Sequence, residues 1–228
     1  EIGVNCIPSP FKKFRRDFVG IEQKKYYLVT AHEKSGKTQL FSYLFLYTAL
    51  DYAYKNPEKV RVKAFYYHLE EDEQTIVLRY MSYLLYTLSN KKIGISPSDL
   101  ESTNEENILP EEILDLLESA EYKERLKFFE DSVEFMESTN PSGIWFDLNA
   151  YAESHGKSIY VEEEYTNRDT GEIKKRKKFD HYEADDPDEY VLIITDHVSL
   201  LSTERGMTLR ETINKYSEYM VTLRNKLS

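Results

Sequence analysis

The sequence is poor in cysteine and contains no long apolar run. Its 228 residues include one cysteine, Cys6, which cannot form an internal disulfide, so the chain suits a reducing compartment such as the cytoplasm. A membrane-spanning helix needs about 20 consecutive apolar residues, and no stretch approaches that length. No secretory signal precedes the first motif. These absences predict a cytoplasmic protein with no membrane partner.

The sequence also lacks histidines and cysteines at the spacing of metal ligands, and it has fewer basic than acidic side chains. The five histidines are not spaced as zinc ligands, and a single cysteine adds little, so we expect no zinc site. The 30 basic side chains are outnumbered by 41 acidic ones, and the net charge is -11. A protein that coats nucleic acid is usually basic, so the balance counts against DNA as the main surface partner. It remains compatible with an acidic ring that grips DNA through a few central loops.

Strands and helices alternate along the first 90 residues. Aromatic and β-branched runs predict two buried strands, and longer apolar stretches predict a helix after each. The predicted strands are 26–30 and 62–69, and the predicted helices are 38–55 and 74–89. This order indicates an α/β fold with a mainly parallel sheet flanked by helices.

The remaining residues extend the same pattern and add a hairpin. A polar loop is predicted for 90–110. Three helices are predicted: one over 110–130 with a break, one that ends near His155, and one over 208–227. The predicted strands are 133–136 and 190–196, of which 190–196 is the clearest buried strand of the chain.

A β-hairpin is predicted for 158–183. Its acidic arm contains Glu162–Glu164, its basic arm contains Lys174–Lys178, and Asp169, Thr170 and Gly171 lie in the turn. Opposite charges facing each other across two strands attract. Two interpretations remain open: a solvated surface hairpin, or a contact with DNA or another partner through the five cations.

A phosphate-binding loop is predicted between the first strand and the first helix. Ser35-Gly36-Lys37-Thr38 is the core of a Walker A loop, although the usual first glycine is Ala31 here. Backbone N–H groups of such a loop surround the phosphates of ATP, Lys37 reaches the β- and γ-phosphates, and the Thr38 hydroxyl binds Mg²⁺. The predicted nucleotide-binding residues are Glu33, Lys34, Ser35, Gly36, Lys37, Thr38 and Gln39.

Two acidic residues follow predicted strands and point to the same site. Asp196 closes the strand 190–196, where a carboxylate can hold Mg²⁺. Glu70 closes the strand 62–69, where it can accept a proton from the water that attacks the γ-phosphate. Glu71–Glu73 fit the acidic first turn of the next helix instead. For His197, beside Asp196, we favour a space-filling role over phosphate sensing.

These motifs resemble those of DnaB-type replicative helicases. The similarity lies in Ile7–Phe11, Gly20-Ile21 and Leu28–Thr38, where the family often has alanine at the position of Ala31. It continues in Tyr67–Glu71 and in Ile193–Leu201. The resemblance implies a RecA-like P-loop fold, Glu70 as the catalytic base, and residues 158–183 as an inserted hairpin.

The same resemblance implies partners. It predicts an ATP-driven DNA helicase motor in a bacterial or phage-infected cytoplasm, working as a six-membered ring on single-stranded DNA, with a primase or a loader as a possible partner. Arg205, Gly206 and Arg210 are the candidate DNA contacts, in the loop that follows the strand 190–196. An ordinary surface loop is the alternative.

The resemblance also implies a longer protein. Residues 1–228 would then be one RecA-like domain of it, because the family's sensor glutamine and arginine finger would follow Ser228. Two other functions remain open. The first is another RecA-like ATPase, such as a recombinase or a clock-type regulatory ATPase, and the second is a non-catalytic nucleotide-binding module.

Overall fold

A computed structural model describes residues 6–32, 34–101, 108–166 and 171–227 of the chain. In chain order its strands are β1 (Ile7–Pro8), β2 (Gly20–Ile21), β3 (Arg61–His68), β4 (Val133–Met136), β5 (Gly156–Thr166), β6 (Ile173–Ala184) and β7 (Glu189–Asp196). Its α-helices are α1 (Lys37–Phe41), α2 (Thr48–Lys55), α3 (Glu73–Leu88), α4 (Pro97–Glu101), α5 (Glu111–Glu118), α6 (Ala120–Ser132), α7 (Pro141–Ser154) and α8 (Leu209–Lys226). Among the described residues, no helix combines the length and the apolar character needed to cross a membrane.

The chain divides into two compact units. The first consists of Glu1–Gln23, Val29–Glu137 and Tyr190–Leu200, and the second of Lys24–Leu28, Ser138–Glu189 and Leu201–Ser228. The first unit contains a parallel three-stranded sheet in the order β4-β3-β7, flanked by helices. The predicted α/β class and the parallel sheet are thereby confirmed.

Aromatic side chains dominate the core of the first unit. The rings of Tyr80 on α3 and Phe129 on α6 stack with their centroids 4.2 Å apart, and those of Tyr47 and Tyr83 stack at 4.7 Å. Tyr66 and Tyr67 on β3 are fully buried. Stacked ring pairs add roughly 0.5–1.5 kcal/mol each beyond the burial of their area, so these rings hold the helices against the central strand.

The predicted helix 38–55 is confirmed as one continuous helical segment from Lys37 to Lys55. Residues Ser42–Tyr47 form a π-helical turn between α1 and α2. Such turns interrupt α-helices mostly at functional sites. Leu44, Leu46 and Leu50 of this segment are buried.

The predicted strand 26–30 is wrong. These residues form neither helix nor strand, and the side chains of Tyr26 and Leu28 are 38% and 66% exposed. A run of β-formers becomes a strand only when a neighbouring strand supplies hydrogen-bond partners, and the structure pairs no strand with this segment.

Strand β7 is less buried than predicted. Tyr190, Ile194 and Asp196 are buried on one face, whereas Val191 and Ile193 on the other face are 41% and 36% exposed. The continuous apolar run indicated burial on both faces, but β7 is an edge strand of the three-stranded sheet. The predicted polar loop 90–110 also contains the short helix α4.

The second unit combines a helix pair with the predicted hairpin. Helices α7 and α8 pack together, and β5 pairs with β6 in antiparallel fashion over 11 residues of β5. The predicted hairpin 158–183 is therefore confirmed, while Asp169 and Thr170 of its turn lie outside the described residues. Helix α8 begins with a capping box formed by Thr208 and Glu211.

Candidate functional site

The loop before α1 is shaped by two left-handed residues. Lys34 and Gly36 have φ values of 59° and 81°. Between them, Ser35 donates two hydrogen bonds to the His32 carbonyl oxygen, from its backbone N–H at 3.3 Å and from its hydroxyl at 2.6 Å. Left-handed residues beside right-handed ones turn successive N–H groups toward one concave side, which favours anions. Glu33 lies outside the described residues.

The helix after the loop begins without a side-chain cap. Gly36 is the N-cap residue of α1, and its carbonyl accepts a hydrogen bond from Leu40 N–H at 2.9 Å. Because glycine has no side chain, the first N–H groups of the helix receive no side-chain acceptor from the N-cap. Thr38 is half-buried there and Gln39 is exposed. This helix start retains the donors that bind phosphate in P-loops.

Lys37 and Asp196 meet at the carboxyl end of β7. The Lys37 ammonium nitrogen lies 3.6 Å from Asp196 Oδ1, and the two side chains are 26% and 10% exposed. The Asp196 carbonyl accepts a hydrogen bond from Leu69 N–H at 3.0 Å. That bond joins the ends of β7 and β3, so Glu70 follows at the same edge of the sheet.

Glu70 is paired with a histidine from the end of β7. Glu70 Oε2 lies 3.6 Å from His197 Nε2, and the Glu70 side chain is 47% exposed. His197 Nδ1 and the Ser199 hydroxyl oxygen are 2.5 Å apart and share a hydrogen bond. Ser199 therefore holds the ring at Nδ1, and Nε2 faces the Glu70 carboxylate. Adjacency to Asp196 was the only sequence signal for this pairing, and no pattern pointed to Ser199.

The three acids after Glu70 have separate structural roles. Asp72 caps α3 by accepting a hydrogen bond from Thr75 N–H at 2.7 Å, and Glu73 opens the helix. Glu71 forms a bidentate ion pair with Arg79. The Thr75 bond lowers the pKa of Asp72, as expected for a carboxylate at a helix start. The helix-start interpretation is thereby confirmed for Asp72 and Glu73.

Tyr66 lies buried near Asp196. Burial raises the pKa of its hydroxyl, and the negative charge of Asp196 raises it further. The tyrosine hydroxyl therefore stays protonated.

The donor set suits a magnesium nucleotide. An ammonium, a hydroxyl and a carboxylate are supplied by Lys37, Thr38 and Asp196. Mg²⁺ is usually held by one or two carboxylates together with phosphates and water rather than by a full protein cage. Among the described residues, no group of three or more His, Cys, Asp or Glu side chains is placed to hold a metal by itself.

The candidate DNA loop belongs to the second unit. Arg205, Gly206 and Arg210 are exposed, and Gly206 has a φ of 79° in a turn closed by Met207 N–H donating to the Glu204 carbonyl at 3.0 Å. Glu204 is an anchor, because its carboxylate accepts a hydrogen bond from Ser142 N–H at 2.9 Å and pairs with Lys215. The structure thus presents the three predicted residues to solvent on an anchored turn.

Comparisons with protein-family models, curated proteins and solved structures gave no match.

Proposed function

We propose that this chain binds ATP with Mg²⁺ and hydrolyses it at the site formed by Lys37, Glu70 and Asp196. The observation that carries the proposal is the 3.6 Å approach of the Lys37 ammonium to the Asp196 carboxylate. This contact lies where the first turn of α1 meets the carboxyl end of β7. Open α/β sheets bind their ligands at that edge.

Each residue has a distinct task in this proposal. The N–H groups of residues 34–38 bind phosphate oxygens, and Lys37 neutralises the charge that develops on them. Thr38 and Asp196 hold Mg²⁺ through oxygen atoms. Mg²⁺ held by these two residues would supply positive charge that offsets the charge developing on the phosphates.

Glu70 is the proposed general base. Its carboxylate is half exposed, so a water molecule can reach it and give up a proton as it attacks the γ-phosphate. His197 holds the carboxylate from one side, and Ser199 holds His197. Positioning of this kind keeps the base aimed at the water.

We further propose that the ATPase is the motor of a ring-forming DNA helicase with a RecA-like fold. The support is the resemblance of its motifs to DnaB-type helicases and the parallel order of β3, β4 and β7. Because residues 26–30 form no strand, support for the fold comes from those three strands alone. In this proposal ATP lies between neighbouring subunits, and Arg205, Gly206 and Arg210 contact single-stranded DNA.

A second candidate is a RecA-like ATPase that does not move on DNA. The net charge of -11 favours it, because binding to phosphate backbones depends on positive surface charge. The nucleotide site would work in the same way in either case.

The deciding experiment is ATP turnover by the full chain with and without single-stranded DNA. For a helicase motor we expect DNA to stimulate turnover and Lys37→Ala to abolish it. Glu70→Gln should keep nucleotide binding and lose turnover, by roughly 100-fold or more for a general base. The matched control is Glu73→Gln, the same chemical change at an exposed position on α3, which should leave turnover intact.

Each opposite result has a defined meaning. Turnover that ignores DNA would support the regulatory ATPase. Full turnover by Glu70→Gln would exclude Glu70 as the general base, and nucleotide binding without any turnover by the wild type would leave a nucleotide-binding module.

A further inference from the structure

The hairpin of β5 and β6, called the arm below, is a two-stranded sheet with two outer edges. In the part of the chain that the structure describes, each arm strand pairs only with the other. Its base contacts α7, whereas Tyr160, Val161 and Ile173 toward its end are 54%, 44% and 71% exposed. Isolated two-stranded hairpins are marginally stable in water, and open edges are templates for further strands. We therefore expect the open edges of this arm to bind a further strand.

The two edges of the arm carry opposite charge. Glu162, Glu163 and Glu164 lie on β5 directly opposite Lys177, Arg176 and Lys175 of β6. One outer edge is therefore acidic and the other basic.

Three of the cations of β6 are already engaged within the arm. Arg176 and Lys178 donate to Glu163 at 2.6 and 2.8 Å, and Lys175 donates to Glu162 at 3.3 Å. These bonds lower the pKa of Glu163. A nucleic acid would have to displace a carboxylate at each of these contacts, so the arm is poorly suited to a polyanion.

A second copy of the arm would place its glutamates on the open side of these cations and would leave the bonds within the arm intact. We propose that the basic edge strand β6 of one copy pairs antiparallel with the acidic edge strand β5 of the next, extending the sheet from chain to chain. In the register found inside the arm, every one of the three glutamates would again face a cation. The same register would repeat the ring contact of Tyr160 with Phe179, whose centroids are 5.9 Å apart within the arm.

The charge pattern also selects the direction of pairing. Two β5 edges would place glutamates opposite glutamates, and two β6 edges would place cations opposite cations, and like charges directly opposite each other are destabilising. Only head-to-tail pairing of β6 with β5 places unlike charges together. Head-to-tail contacts build rings when they close and filaments when they do not. The proposal does not depend on the ATP site.

The test uses sedimentation velocity on the full chain over a concentration series without nucleotide. A charge-exchanged variant carries Lys at 162–164 and Glu at 175–178, so it keeps opposite charges in contact within its own arm. We expect the wild type to assemble, and the exchanged variant to assemble equally well by itself. Fluorescently labelled exchanged variant should enter wild-type assemblies about tenfold less, because each mixed contact sets like charges opposite each other.

A shortened arm separates assembly from folding. Replacing 162–177 by Asn-Gly joins Val161 to Lys178, which are paired residues, through a two-residue hairpin turn. This variant should fold and stay monomeric. Three results would overturn the proposal. The wild type could stay monomeric at every concentration, it could gain mass only when an oligonucleotide is added, or it could mix freely with the exchanged variant. Because mass is the readout, failure of ATP turnover would leave it untouched.

Discussion

The Lys37 ammonium lies 3.6 Å from the Asp196 carboxylate, although 159 positions separate the two residues in the sequence. Lys37 opens the helix after the phosphate loop, and Asp196 closes β7. Each group is a ligand type that a magnesium nucleotide requires, and the pairing holds both in place before the nucleotide arrives.

Asp196→Asn should weaken the response to Mg²⁺ more than the binding of nucleotide. The amide is nearly the same size but carries no charge, so it attracts a divalent cation less. We expect the Mg²⁺ concentration for half-maximal ATP turnover to rise by roughly tenfold to 100-fold. The measurement is a Mg²⁺ titration of turnover, and an unchanged midpoint would exclude Asp196 as a ligand.

His197→Ala should lower kcat with little change in KM. The histidine touches Glu70 and acts through it, so removing it loosens the base without removing a contact to the nucleotide. A loss of about tenfold is the scale for such supporting partners. Ser199→Ala should produce a smaller loss in the same direction. If KM rose while kcat stayed constant, His197 would belong to nucleotide binding instead.

Gly36→Ala should weaken ATP binding through the backbone. A Cβ at Gly36 would meet no atom within 4 Å, but its φ of +81° is unfavourable for residues with side chains. That strain is worth about 1 kcal/mol, or about fivefold in affinity. The matched control is Gly94→Ala, which also faces open space and has no positive φ. Equal nucleotide affinities of the two variants, measured by calorimetry, would contradict this account.

Arg125→Ala should destabilise the first unit strongly. Arg125 on α6 is 3% exposed, pairs with Asp51 on α2, and lies over the Tyr54 ring at 5.4 Å. Removing one partner leaves a poorly solvated charge, which costs about 3–5 kcal/mol. The control is Lys127→Ala, whose pair with Asp131 is exposed to solvent and adds little stability. Urea denaturation compares the two, and similar midpoints would refute the prediction.

Acid should release the loop that carries Arg205. The bond from Lys215 lowers the pKa of Glu204 below its ordinary value of 4.5. A lowered folded-state pKa contributes stability above the unfolded value, and that contribution is lost as the pH falls through the folded value. Glu204→Gln should therefore lower Tm at about pH 6 and make progressively less difference below the ordinary value. A Tm difference that stays constant as the pH falls would show that the Glu204 charge is not responsible.

The sequence determined most of the local elements of this protein. Helices such as Glu73–Leu88, the break near Ser119, and the hairpin arms follow from apolar spacing, caps and turn residues that lie close together in the chain. The candidate site residues Lys37, Glu70 and Asp196 were recognisable because each stands at the end of a strand or the start of a helix.

Tertiary structure decided whatever depends on distant partners. Residues 26–30 have the composition of a strand but pair with none, and β7 is half exposed because it lies at a sheet edge. The contact of His197 with Glu70 joins residues 127 positions apart, and that of Arg125 with Asp51 joins residues 74 positions apart. No local pattern encodes such pairings, because they depend on how the folded elements pack and on which charges burial forces together.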